Sequence, residues 1–332
     1  MGCLKIIVLG FCLLLLELMA NADDSEILTK WVNPQYSCDE VSSFRKKATK
    51  GDAKAMYFYS IALANGYGCE KDCAKSFNVA QDAAKMNYKP AYYLLAHRYA
   101  EGRGVESNQR KSQQFFEKFV KWANQLGNSA DPETMCNLGW CYRQGCGVDK
   151  DTNRALQLFK EAASRGHARA QYNLGWSYAT GSGVPISAEK AAEWFIKSAN
   201  NGSVNGQREL GCCYMKGFGV AKDATEGIKW IRKAAERGLP IAQYDLGMSY
   251  IDGTGVAKDL YAAKLWLSRA QDNGYAKASR ALSAVEEVIM LSETKSALES
   301  AVKEVSEIKN KSGEIADALE QEIKNRAVNN KQ

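Results

Sequence analysis

The segment CNLGWCYRQGCGV, residues 136–148, concentrates side chains that could do three kinds of chemistry. Cys136, Cys141 and Cys146 are thiols that could ligate a soft metal or form a redox centre. Gly145 and Gly147 could open a loop whose backbone N–H groups cradle phosphate. Spacing argues against the metal. Five residues along a helix turn by about 140°, so Cys136 and Cys141 face apart, and Cys146 falls beyond them in a turn. Catalysis needs a nucleophile with a base in reach. The chain has 2 histidines, His97 and His167, and neither has an acidic or cysteine partner evident in the sequence. No His-Glu-x-x-His pair and no Gly-x-Ser-x-Gly elbow occurs. The sequence offers no catalytic residue, metal site or cofactor, and reads as a non-enzyme.

Composition sets the class. The 332 residues are 45% apolar and 25% charged, the balance of a soluble globular chain. A net charge of +6 is mild and forms no concentrated basic stripe, which argues against nucleic acid as a partner. At the N-terminus Lys5 precedes an apolar run from Ile6 to Leu16, and Ala20-Asn21-Ala22 gives a small-x-small cleavage site before Asp23-Asp24. The pattern predicts a cleaved secretory signal over 1–22, too short for a stable membrane span, and a linker over 23–36. Export follows as an expectation, to a bacterial periplasm or the medium, or in a eukaryote to the endoplasmic reticulum lumen or the outside. An even set of cysteines beyond the signal then makes disulfides plausible. Cys69 and Cys73 lie across one turn, with Cys38 as a competitor, and these three are the candidates.

The elements that must position these residues come from an internal ruler. Leu138-Gly139, Leu174-Gly175, Leu210-Gly211 and Leu246-Gly247 stand 36 residues apart. Each pair is followed by Tyr142, Tyr178, Tyr214 or Tyr250, then by a Gly-x-Gly-Val turn, then by Asp151, Ser187, Asp223 or Asp259. Small residues and Gly166, Gly202, Gly238 or Gly274 close each copy. Two looser copies lie upstream, with Ser60 and Ala96 in place of the Leu-Gly glycine and Asp72 and Asn108 at the cap. The ruler slips once by 7 residues within FFEKFVKWANQLGNSADPE, which predicts a longer second helix there. Ala170, Leu174 and Tyr178 form one apolar helical stripe, and Gly175 beside it admits a neighbouring helix. The Gly181-Ser182-Gly183 turn ends that helix, Ser187 caps the next, and Trp194, Phe195 and Ala199 face inward before Gly202. One unit is a helix–turn–helix hairpin that buries its apolar face only by stacking on its neighbours. Because a helix precedes the glycines and the pattern recurs, the phosphate loop is excluded.

These motifs, represented by AQYNLGWSYATGSGV (170–184) and VAKDATEGIKWIRKAAERG (220–238), resemble the Sel-one-like repeat family, a relative of the tetratricopeptide repeats. The resemblance covers about residues 37–290 and implies an all-α, right-handed superhelical solenoid of about six repeats that serves as a protein- or peptide-binding scaffold. If the first helix of each unit lines the concave face, as the resemblance implies, a binding strip follows: Tyr57, Tyr93, His97, Trp140, Arg143, Tyr172, Trp176, Arg208, Met215, Tyr244 and Met248. Aromatic residues and arginine dominate binding hot spots. His167 follows a closing glycine and is expected to be an exposed connector. Cys141 and Cys213 share one repeat position with Ser177 and Ser249, so that position accepts a small side chain.

Some bacterial relatives are cysteine-rich and are described as penicillin-binding or weakly β-lactamase-like, with cysteine pairs separated by seven residues that staple helices. This chain departs from that pattern, for no two of its cysteines are 8 apart. Residues 291–332 lie outside the resemblance. There Leu298, Val302, Val305, Ala316, Leu319 and Ile323 fit heptad positions, Lys309 and Ser312 break the seam, and Gly313 is expected to interrupt the helix. The segment predicts an amphipathic cover for the repeats or a homodimerisation arm over 292–332.

Overall fold

Each of the six cap residues named from the sequence makes its capping bond. The computed structural model describes residues 37–66 and 68–329, with side chains as far as residue 312. The predicted signal and linker, residues 1–36, lie outside the described residues. Among the described residues there are fourteen α-helices, one short 3-10 turn and no strand. In chain order they are α1 (Cys38–Ala48), α2 (Ala53–Asn65), α3 (Cys73–Lys85), α4 (Ala91–Glu101), α5 (Gln109–Leu126), α6 (Pro132–Gln144) and α7 (Thr152–Ser164). There follow α8 (Ala168–Thr180), α9 (Ala188–Asn200), α10 (Val204–Lys216), α11 (Ala224–Glu236), α12 (Pro240–Asp252), α13 (Leu260–Asp272) and α14 (Ala276–Asn329). Asp72, Asn108, Asp151, Ser187, Asp223 and Asp259 each accept the backbone N–H three residues on, at 2.8 to 3.2 Å. Those side chains satisfy donors that have no partner inside the helix.

The Leu-Gly pairs mark where two helices of one hairpin meet. A Cβ built on Gly175 of α8 would lie 2.5 Å from Phe195 Cε1 of α9, so only glycine fits without movement. The turn glycines have a second duty. At Gly219, φ is +69° and a Cβ would run into the Ala188 carbonyl oxygen, so both backbone shape and the preceding repeat demand glycine. Where the first copy lacks the glycine, the contact is rebuilt. Ser60 and Ser76 exchange hydroxyl-to-carbonyl bonds of 2.9 and 2.7 Å between α2 and α3, and the small Ala80 stands where later copies carry Phe159 or Phe195. The predicted slip is also located, for α5 has 18 residues against 13 in α7.

The chain divides into two compact units, one ending at Ala242 and one starting at Gln243. In the first, the central core gathers Phe116, Phe119, Met135, Leu138, Phe159 and Leu174. In the second, Ala263 and Leu267 of α13 pack on Leu282, Val285 and Ile289 of α14. Helix α14 runs unbroken through Gly313, contrary to the expected interruption, and the expected boundary at 290/291 falls inside it. One glycine costs a helix only about 1 kcal/mol, too little to break one flanked by Glu, Ala and Lys. From Leu291 to Ser312 every residue of α14 is exposed. The heptad residues Ala316, Leu319 and Ile323 lie beyond the described side chains.

Cys38, Cys69 and Cys73 are free thiols, as are the other five described cysteines. Cys69 packs into the cluster formed by α1 and α2, whereas Cys73 opens α3 with its backbone under the Gly104 turn of the next copy, so the two serve different neighbours. Cys141, Ser177 and Cys213 are 0%, 4% and 3% exposed, which is why that repeat position holds small side chains. No described helix is long and apolar enough to cross a membrane.

Candidate functional site

Within the first unit, the helices that open the repeats, α2, α4, α6, α8 and α10, contribute to one cleft of about 840 Å³, its solvent-filled mouth included. Its walls include Ile61 and Leu94, the rings of Tyr93, His97, Trp140 and Tyr172, and the guanidinium groups of Arg98, Arg103, Arg143 and Arg169. The rings brace one another: His97 lies 4.6 Å from Tyr93 and 4.8 Å from Trp140, centroid to centroid. His97 Nδ1 meets Glu101 Oε1 at 3.6 Å, an acidic partner that the sequence did not reveal, while its buried Nε2 has no partner among the described residues. Burial drives the His97 pKa down against the pull of Glu101.

Of the predicted strip, Tyr93, His97, Trp140, Arg143 and Tyr172 line this cleft. The others go elsewhere. Tyr57 is 5% exposed and packs on Tyr88, so it is core. Trp176 meets Tyr172 and Phe195 edge to face, its buried Nε1 without a partner among the described residues. Arg208 pairs with Glu209 at 2.7 Å, and Met215 presses on Gly227 of α11. Tyr244 and Met248 belong to the second unit, where Tyr244 packs on Tyr275 at 5.1 Å.

An ion network that sequence reasoning missed adjoins the cleft. Arg169 donates to Glu133 Oε1 at 2.7 Å and to Asn137 Oδ1, and His167 Nε2 donates to Glu133 Oε2 at 2.8 Å. His167 is thus no exposed connector. It caps α8, its Nδ1 accepting the Ala170 N–H at 3.3 Å, because the residue after the closing glycine is the N-cap itself. Burial opposes each charge, but the partners prevail. Arg169 and His167 hold Glu133 down to about 2, and Cys136 and Glu133 lift His167 to about 9. The Cys136 thiol is likewise lowered despite burial, by Arg169 and His167, and it accepts a bond from Asn173 Nδ2 at 3.5 Å. At 1% exposure it meets the network rather than solvent. Two signals in the sequence could have found this. Glu133 and Arg169 stand one ruler length apart, as do Asn137 and Asn173, and equal positions of stacked repeats are neighbours.

The second missed residue is Arg98. It occupies the repeat position filled elsewhere by Ala62, Cys141, Ser177, Cys213 and Ser249, all small and buried. Arg98 is itself only 5% exposed, and burial together with nearby Arg103 lowers its pKa to about 10. The cleft therefore sets four arginines, against the single lining carboxylate of Glu101, among aromatic rings. Among the described residues no group of three or more His, Cys, Asp or Glu is placed to hold a metal ion.

A family model for the Sel1 repeat matches residues 53–88, 89–120, 132–167, 168–203, 204–239 and 240–275. Among solved structures, the chain is similar to a protective antigen of uropathogenic Escherichia coli displaying an SLR fold, with 29% identity over 75% of this chain and 52% of that one and a TM-score of 0.49. The chain thus spans about half of that antigen's length. A Sel1 repeat protein from Oxalobacter formigenes is 24% identical over 69% of this chain and 87% of its own, with a TM-score of 0.47. Cysteine rich protein B of Helicobacter pylori is 25% identical over 40% of this chain and 96% of its own, with a TM-score of 0.34.

Proposed function

Because the chain belongs to the Sel1 repeat family, whose members are generally protein-interaction scaffolds, we propose that it is an exported, non-enzymatic scaffold that binds a protein or extended peptide in the cleft of its first unit. One observation carries this reading. Tyr93, Trp140 and Tyr172 share the cleft with Arg98, Arg143 and Arg169, and rings beside guanidinium groups are the side chains that anchor protein partners. Trp140 is the chief anchor, since it is half-buried at the wall and braced by the tilted His97 ring. Trp140→Ala is expected to weaken capture by about 10-fold or more, the loss typical of a hot-spot tryptophan. Affinity capture from the extracytoplasmic fraction, with bait sequenced to begin at Asp23, measures this and the export together. Unchanged capture of every partner by a folded Trp140→Ala protein would refute the cleft as the binding surface.

A second reading has its own observation. Leu291, Leu298, Val302, Val305 and Ile308 of α14 are 58 to 67% exposed, an apolar stripe with no cover among the described residues of its unit. Self-association through α14 would bury them in a helix pair. Light scattering should then show a mass that rises with concentration in the full chain and stays monomeric after deletion of 292–332. A full chain that is monomeric at all concentrations would end this reading.

A further inference from the structure

Arg98 is a charge placed where the fold needs none. Other copies fill its position with Ala, Cys or Ser, so a neutral residue is compatible with the hairpin. Among the described residues its guanidinium is in no ion pair: Nη2 meets Ser76 Oγ, at 3.4 Å, and buried Nε has no hydrogen-bond partner. Burying a guanidinium without an anion is unfavourable. Arg143 repeats the theme from α6. It lines the same cleft, its guanidinium 5.3 Å over the Phe159 ring, in no ion pair among the described residues. The acids nearby are already engaged. Glu101 faces His97 and Arg103, at 3.6 and 3.3 Å, and Glu133 is held by His167 and Arg169. Four arginines thus stand against two carboxylates, and the surplus belongs to Arg98 and Arg143.

We propose that the cleft recognises an acidic peptide segment, with Arg98 and Arg143 as the counter-charges of its carboxylate; this rests on the cleft being the binding surface. A guanidinium offers a planar fork of donors that matches a carboxylate in two parallel bonds. The unbonded His97 Nε2 adds a further polar group at the same wall. Ile61, Leu94 and the Trp140 ring line the cleft beside these groups. An apolar wall suits the side chains that flank a carboxylate in a peptide, whereas a free inorganic anion has no use for it.

Fluorescence anisotropy on the full chain tests this with two labelled hexapeptide pools. One is rich in Glu and Tyr with a free C-terminus; the other has Gln for every Glu and an amidated end. The acidic pool should bind at least about 10-fold tighter, a difference on the scale of one charge-assisted contact, and Arg98→Ser or Arg143→Gln should abolish that preference. Arg98→Lys, which keeps the charge and loses the fork, should retain part of it. Equal binding of the two pools, or binding of neither, overturns the proposal while Trp140→Ala capture judges the cleft separately. Competition by inorganic phosphate where acetate has no effect would assign the site to phosphate and also overturn it. Arg98→Ser should unfold at a temperature equal to or above that of the parent, since other copies carry Ser there. A lower midpoint would make Arg98 a structural residue and overturn its assignment to binding.

Discussion

Gly175→Leu is expected to destabilise the first unit by about 3 kcal/mol, the upper end of what overpacking a core costs. The clash begins at the first added atom, because a Cβ there would stand 2.5 Å from Phe195 Cε1 and 2.6 Å from Cδ1. The ring has nowhere to go: Phe195 is 2% exposed, with the rings of Tyr172 and Trp176 each 6.1 Å away. Gly175→Ala separates the two opposing effects. Alanine favours the helix by about 0.5–1 kcal/mol, yet it meets the same ring, so a net loss is still expected. In a unit of this size, 3 kcal/mol lowers the thermal midpoint by about 6–12 °C. Gly175→Ala combined with Phe195→Leu should recover much of the loss. A Gly175→Leu protein as stable as its parent would show that α8 and α9 do not meet at this glycine.

The second large effect is a pH dependence centred on His167. Its pKa is raised to about 9 from an ordinary 6.5, so its contribution is complete below pH 6.5 and is lost as pH rises through 9. Glu133 has the opposite sign. Held down to about 2, it stabilises above pH 4.5, and that contribution is lost as pH falls toward 2. The network therefore contributes most between pH 4.5 and 6.5, the interval bounded by the two ordinary values. Linkage over the His167 shift is on the order of 3 kcal/mol. Charging His167 also forfeits the Nδ1 cap to Ala170, a bond worth about 1 kcal/mol, so the net effect is about 2 kcal/mol. Urea midpoints of the parent should fall between pH 6.5 and 9 more steeply than those of His167→Gln. Parallel pH profiles for the two proteins would exclude the network as their source.

What could be read from the residues differs by feature, and the reason is range. Asp151 and Ser187 cap helices through bonds to their own third neighbours, and the turn glycines adopt positive φ whatever surrounds them. Such preferences are local and so show in one copy and recur in the rest. The overlong α5 was likewise legible as a 7-residue slip in an otherwise constant period. Gly313 misled because a weak local preference was weighed without the long helix on either side of it. His167 misled because its position looked like a linker, although the cap begins there.

The amino-acid order alone determined the family, the helical hairpin and the sites of close helix contact, because these follow from periodicity and from the missing Cβ of glycine. Only the tertiary structure decided which strip residues form a site. Tyr57 and Tyr93 hold the same repeat position, yet only Tyr93 lines the cleft, since what a side chain meets depends on the neighbouring copy. The pairing of Glu133 with Arg169 and His167, and the lone charge of Arg98, were decided there too. Charges distant along the chain attract or stay unpaired only after stacking removes them from water, where their interactions strengthen.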